Sequence, residues 1–233
     1  MNILRITIFG IFILISASQY LYSQSNIQSY TFKKGEILDI LLLSKNSKGG
    51  AFFDQYKKTA FPHAVKRSYQ PIPGYKITET TQGNQQPENL VLAKWNNLEN
   101  REKFIDEIEA LVPDFHEQRR TIWSIFNLTY YEMSDDITFR INKDKCNVVT
   151  AYWGKNLTDF QKFKQDWLKT SNDTGGETIL ELANGQSPLG YYYNPDYLVI
   201  TQWENRAAFE TFYKKNLRMN HKGVLHMNQF IIN

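Results

Sequence analysis

Pro87-Glu-Asn-Leu-Val-Leu-Ala-Lys-Trp-Asn-Asn97 is matched, without a gap, by Pro195-Asp-Tyr-Leu-Val-Ile-Thr-Gln-Trp-Glu-Asn205. The two tryptophans, at positions 95 and 203, stand 108 residues apart, and Pro, Leu, Val and the final Asn recur at the same offset. The match runs on past the strand, with Glu102-Lys-Phe104 falling on Glu210-Thr-Phe212. A period this long reads as two copies of one domain, not as a solenoid of short units. Leu90-Val-Leu-Ala93 and Leu198-Val-Ile200 are apolar without alternation, so both strands are expected to be covered on both faces.

Working outward, the first copy reads strand, helix, strand, strand, helix, strand. Ser25 to Lys34 is polar and reads as a loose lead-in, and Glu36 to Ser44 is a short apolar strand. Phe52, Phe53, Tyr56 and Ala60 have helical spacing, and Pro62 should kink or divide that helix. Pro71-Ile-Pro-Gly74 reads as a turn before a strand at Tyr75 to Thr80. Asn97 is placed to cap a helix whose apolar stripe is Phe104, Ile108, Leu111 and Phe115, with Pro113 positioned to end or bend it. Ile122 to Tyr131 is the fourth strand.

Met133 to Lys145 is charged and polar and reads as the connection, with a short extension at Ile137 to Ile141. The same order then restarts at Asn147 to Trp153. Thr158 and Gln161 form a capping box for a helix carrying Phe160, Phe163 and Trp167 on one face. Glu177 to Leu182 is the second strand, and the turn after it is longer than its counterpart and carries Tyr191-Tyr-Tyr193. The repeated strand, a helix capped by Asn205 and a closing strand at Leu225 to Ile232 complete the copy.

Two helices per copy cover only one face of a four-stranded sheet, and the second copy is the nearest cover for the other. The apolar strand ending in Trp95-Asn-Asn or Trp203-Glu-Asn, followed by a helix with Ala207-Ala-Phe209, resembles the dimeric α/β-barrel superfamily. Within it, the segment is similar to the antibiotic-biosynthesis-monooxygenase branch. The resemblance covers nearly all of the chain after its leader. It implies an α+β fold: two tandem ferredoxin-like βαββαβ domains, 30–133 and 134–233, packed sheet to sheet as a pseudo-dimeric α/β barrel.

Residues 1–23 read as a secretory signal, with Arg5 ahead of an apolar run from Ile6 to Ala17 that is too short to span a bilayer. An uncleaved anchor is the rival reading. The expected protein is exported, periplasmic or secreted, with no membrane attachment after cleavage. The 27 basic and 24 acidic side chains are nearly balanced, which gives no footprint for nucleic acid. Cys146 is the only cysteine, so no internal disulfide can form. The doubled architecture points to a monomer with an internal pseudo-two-fold in preference to an obligate homo-oligomer.

A barrel between two sheets implies a small hydrophobic or aromatic ligand held between the halves. Trp95, Trp203, Phe104 and Phe212 are candidates to line that space, and Tyr192, within the added loop, is a candidate lid. In the resembling branch, a haem-degrading group carries a helix histidine, a first-strand Asn and a helix Trp. Here His221 lies one residue off that histidine register, Asn147 is on a first strand, and Phe212 stands in place of the Trp. The leading expectation is a binding protein with no cofactor of its own. The rival is a cofactor-free or haem-linked monooxygenase with His221 or His116 and Asn147 as catalytic residues in its site, and the third is a structural or partner-binding domain whose barrel is filled by side chains. The bland reading makes each histidine a solvated helix-end residue and each Trp a strand-end packing residue. His221 and His226 are five apart and no Cys or carboxylate completes a zinc set, so no metal is expected.

Overall fold

The computed structural model describes residues 26–188 and 190–233, and the expected leader lies outside them. The chain runs β1 (Ile27–Phe32), β2 (Ile37–Lys45), α1 (Gly49–Thr59), α2 (Phe61–Lys66), β3 (Gln70–Gln82), β4 (Asn89–Trp95), α3 (Leu98–Leu111), α4 (Phe115–Ile122) and β5 (Trp123–Glu132). It continues through β6 (Ile137–Asn142), β7 (Cys146–Gly154), α5 (Leu157–Asp173), β8 (Glu177–Ala183), β9 (Tyr197–Trp203), α6 (Arg206–Asn216) and β10 (Val224–Ile232). The fold is α+β with antiparallel sheets.

Eight strands form one sheet in the order β5-β2-β4-β3-β10-β7-β9-β8, and β1 pairs with β6 alone. Each run of four, β5-β2-β4-β3 and β10-β7-β9-β8, has the ferredoxin-like order in which the first and third strands lie at the centre. Two separate facing sheets were the expectation, but β3 joins them. At 13 residues it is long enough to pair with β4 near its start and with β10 near its end. Pro71 and Pro73 sit inside this strand instead of forming a turn, next to the register shift between Ile72 and Tyr75, where a missing donor does little harm. Gly74 belongs there because a Cβ would stand 2.4 Å from the Leu90 carbonyl oxygen.

Strand alternation sorts the side chains into three cores. Leu38, Ile40, Leu42, Leu90 and Leu92 turn to one face and share a buried cluster with Val149, Ala151, Leu198, Ile200 and Phe230. Ile37 and Trp95 turn the other way and pack with residues of α1 to α4. Val148, Tyr152, Val199 and Trp203 likewise pack under α5 and α6. The sheet is thus dry on both faces, as its uninterrupted apolar runs require.

The lead-in is ordered, contrary to the reading of a loose segment. In β1, Tyr30 and Phe32 alternate inward and stack on Phe139 of β6, with ring centroids 4.9 and 6.4 Å apart. The caps Asn97 and Asn205 accept from the backbone N–H of Asn100 and Ala208, as expected. For α5 the cap is Asn156, accepting from Asp159 N–H, so the helix begins earlier than Thr158. Pro62 divides the first helix into α1 and α2, and Pro113 separates α3 from α4, which places Phe115 on α4.

The seam between the halves is polar at its centre. Fully buried Gln229 of β10 accepts from Thr81 Oγ1 at 2.8 Å and from Gln82 Nε2 at 3.1 Å, and donates to Thr150 Oγ1 at 3.0 Å. Arg206 of α6 reaches across to Glu79 of β3 through two bonds of 2.8 and 3.0 Å. At the opposite edges of the sheet, β5 meets the segment after β8 through the Tyr130–Gln186 bridge, with N···O distances of 2.7 and 3.1 Å, and through side-chain bonds from Thr129, Tyr130 and Ser187. Replacing Gln229 with Leu strands the partners of its amide in a dry seam. The substitution is expected to cost about 1–3 kcal/mol in urea unfolding, and an unchanged midpoint would show that the seam does not depend on that side chain.

Candidate functional site

A cavity of about 350 Å³ lies in the first half, between the helices and the sheet face that Asp39, Leu41, Val91 and Trp95 share. It is not the space between the halves, which the shared apolar cluster fills with side chains. The helical cover differs between the halves. Over β2 to β5 it comes in four pieces broken at Pro62 and Pro113, whereas the second half is covered by α5 and α6, unbroken helices of 17 and 11 residues.

The walls are aromatic, including Phe53, Tyr56, Phe61, Trp95, Phe104, Trp123 and Phe126. Two arginines enter them. Arg101, 1 % exposed, donates from Nε to Asp39 Oδ1 at 2.8 Å, and the Trp95 indole N–H donates to Asp39 Oδ2, also at 2.8 Å. The Arg101 guanidinium lies 3.6 Å from the centre of the Tyr130 ring and bonds Glu102 through Nη1. Arg119 of α4 donates from Nε to Tyr56 Oη at 3.0 Å and from Nη1 to Tyr191 Oη at 2.6 Å. Its plane sits between Phe115 and Phe126, at 4.0 and 4.6 Å from their ring centres.

Burial raises the Tyr56 pKa, against the lowering effect of Arg119. Burial also raises that of Tyr69, with Asp39 adding to the effect. For Arg119 burial opposes the charge, but Tyr56 and Tyr191 outweigh it and the pKa rises. The cavity therefore presents neutral phenols and a permanent cation at neutral pH.

The two halves differ at the positions that matter. In the repeat frame Arg101 falls on Phe209. Asp39 pairs across the ladder with Ala93, and Val148 with Thr201, the counterpart of Ala93, so Asp39 corresponds to Val148. An ion pair in the first half is thus an apolar pair in the second, where the Trp203 indole N–H is buried without a partner.

Of the residues singled out from the sequence, Trp95 and Phe104 line the cavity. Trp203 and Phe212 do not. They pack on each other at 5.2 Å in the filled core under α6. Tyr192 is 78 % exposed at a backbone φ of +44°, while its neighbours turn inward. Tyr191 reaches Arg119 and His116, and Tyr193 packs on Trp153 at 5.1 Å.

The three proposed catalytic residues are held in separate places, and none lines the cavity. His116 sits in the first turn of α4, not at a helix C-terminus, with Nδ1 3.1 Å from Tyr191 Oη and Nε2 2.8 Å from Glu109. His221 follows α6, its Nδ1 2.9 Å from the Met219 carbonyl and its Nε2 buried without a partner. Asn147 is buried and donates to the carbonyls of Asn142 and Lys145, fixing the turn between β6 and β7. Among the described residues, no group of three or more His, Cys, Asp or Glu could hold a metal ion.

The sequence reading passed over Asp39, Arg101, Arg119 and Tyr56. Arg101 opposite Phe209 was the available signal, since a charge replacing an apolar residue at a core position marks a polar site.

No protein-family model matches the sequence, and no curated protein does. Among solved structures it is similar to an anthrone oxidase-like protein at 13% identity, covering 88% of this chain and 94% of that one, with a TM-score of 0.46. It is also similar to chlorite dismutase from Candidatus Nitrospira defluvii in complex with imidazole, at 6% identity, covering 87% and 92%, with a TM-score of 0.49. Both are distant likenesses of shape, and the fold described above rests on this chain's own strand order.

Asp39→Ala leaves Arg101 buried without its carboxylate in the floor of the site. A loss of about 3–5 kcal/mol in chemical denaturation is expected. A loss below about 1 kcal/mol would mean that water or Glu102 carries the charge instead.

Proposed function

We propose that this protein binds one small apolar or aromatic molecule in the helix-side cavity of its first half. The carrying observation is the asymmetry of the two halves: one holds an aromatic cavity with fixed polar groups, and the other is filled by Trp167, Trp203, Phe209 and Phe212. A cavity of about 350 Å³ falls at the lower end of ligand-sized pockets (roughly 300–1,000 Å³). In this reading the chain is a tandem duplication, 30–133 and 134–233, folded as a pseudo-dimeric barrel. One copy has been kept for binding and the other packed for stability. It works as a monomer, exported to the periplasm or beyond after loss of residues 1–23. Among the described residues no helix is long and apolar enough to cross a membrane.

The second reading is a monooxygenase, cofactor-free or haem-linked, and the unpartnered Nε2 of His221 is what favours it. The surroundings of that nitrogen do not fit a porphyrin. The Phe163 ring lies 5.2 Å from the imidazole, and the core beside it is closed by fully buried aromatic rings. Hemin is expected to give no Soret shift that depends on His221. A shift lost in His221→Ala would establish the haem alternative.

Binding is tested with neutral 2-naphthamide by calorimetry. Val91→Phe, which fills the cavity from the sheet side, is expected to weaken it at least about tenfold. Leu42→Met, on the opposite face of the same sheet, should leave it unchanged. Equal affinities in wild type and Val91→Phe would remove the cavity as the site.

A further inference from the structure

Arg119 is a buried cation with no carboxylate beside it. It is 7 % exposed, and among the described residues no Asp or Glu lies within ion-pair distance of its guanidinium. Its two hydrogen-bond partners are phenol oxygens, Tyr56 Oη and Tyr191 Oη. The one carboxylate in the cavity wall, Asp39, is already shared between Arg101 and the Trp95 indole. Once that pair is set aside, the lining retains two cations, Arg119 and Lys45.

A guanidinium cannot relieve burial by losing its proton, as a lysine can. The flanking rings of Phe115 and Phe126 compensate part of the desolvation. They offer no acceptor, however, and among the described residues Nη2 donates to no protein group. The donors left over, Nη2 and one N–H of Nη1, can meet the oxygens of a carboxylate. A phosphate dianion would carry one charge more than the buried guanidinium balances, since the lining's other remaining cation, Lys45, is exposed to water. We infer that the ligand of this cavity is a monocarboxylate with an aromatic or compact aliphatic body, its head bound by Arg119 and its body against the rings of Trp95, Phe104 and Trp123. Tyr191, donated by the loop of the second half, fixes the guanidinium from the side opposite Tyr56.

This inference rests on the cavity being the binding site, and the test separates the two. Naphthalene-2-carboxylate and neutral 2-naphthamide, which share ring and size, are titrated by calorimetry into the wild-type protein at neutral pH. The carboxylate is expected to bind at least about tenfold more tightly. Equal affinities, or tighter binding of the amide, would overturn the carboxylate inference while leaving the cavity in place. Binding of neither would overturn both. Arg119→Gln is expected to erase the difference between the two probes. Should that variant fail to fold, thermal shifts of the wild type with the two probes give the same comparison without a substitution. Retention of the preference in folded Arg119→Gln would place the carboxylate elsewhere.

Discussion

A β-strand turns alternate side chains to opposite faces, and in β2, β4, β7 and β9 all of them but Lys45 are buried or half-buried. No such strand can lie at a water boundary on either side. The consequence is a sheet in the middle of the molecule, with helices outside it and an apolar filling inside. The filling draws residues from both halves, so neither half has a complete interior without the other. The β3–β10 ladder, the Gln229 network and the Arg206–Glu79 pair then hold two sheets' worth of strands as one surface.

Within that frame the two halves solve the same packing problem differently. Under α5 and α6 the space is closed by large rings that fit together, and the indole of Trp203 has no partner for its N–H. Under α1 to α4 the same strand position carries Trp95, whose N–H is satisfied by Asp39, which in turn is balanced by Arg101. A buried ion pair is seldom the more stable choice when an apolar pair fits. The second half shows that an apolar pair does fit, in Val148 and Phe209. Keeping charge where apolar residues would serve points to chemistry at the site in preference to stability.

Much of the architecture was legible because it is local. The undivided apolar runs told that both faces of the strands were covered, and Asn97, Asn205, Pro62 and Pro113 marked helix ends through short-range chemistry. The β1–β6 ribbon was not legible, since Ile27 pairs with Asn142 and neither segment is strongly apolar by itself. The cavity was misplaced for a related reason. Arg101 and Asp39 are 62 residues apart, and only the ladder register brings them together. The histidines drew attention by residue type, yet their positions are set by separate packing needs. The aromatic candidates split evenly by half, with Trp95 and Phe104 on the cavity wall and their counterparts in solid packing.

The two seams between the halves are sewn unequally, a ladder of paired strands at one and, at the other, one bridge with a few side-chain bonds beside it. Free energy for local opening follows the number of bonds that must part, so the lightly sewn side should breathe first. That side is also where Tyr191 leaves its own half to meet Arg119. Slackening there would loosen the grip on the guanidinium before any strand in the middle of the sheet had moved, giving the interior a door placed by topology alone.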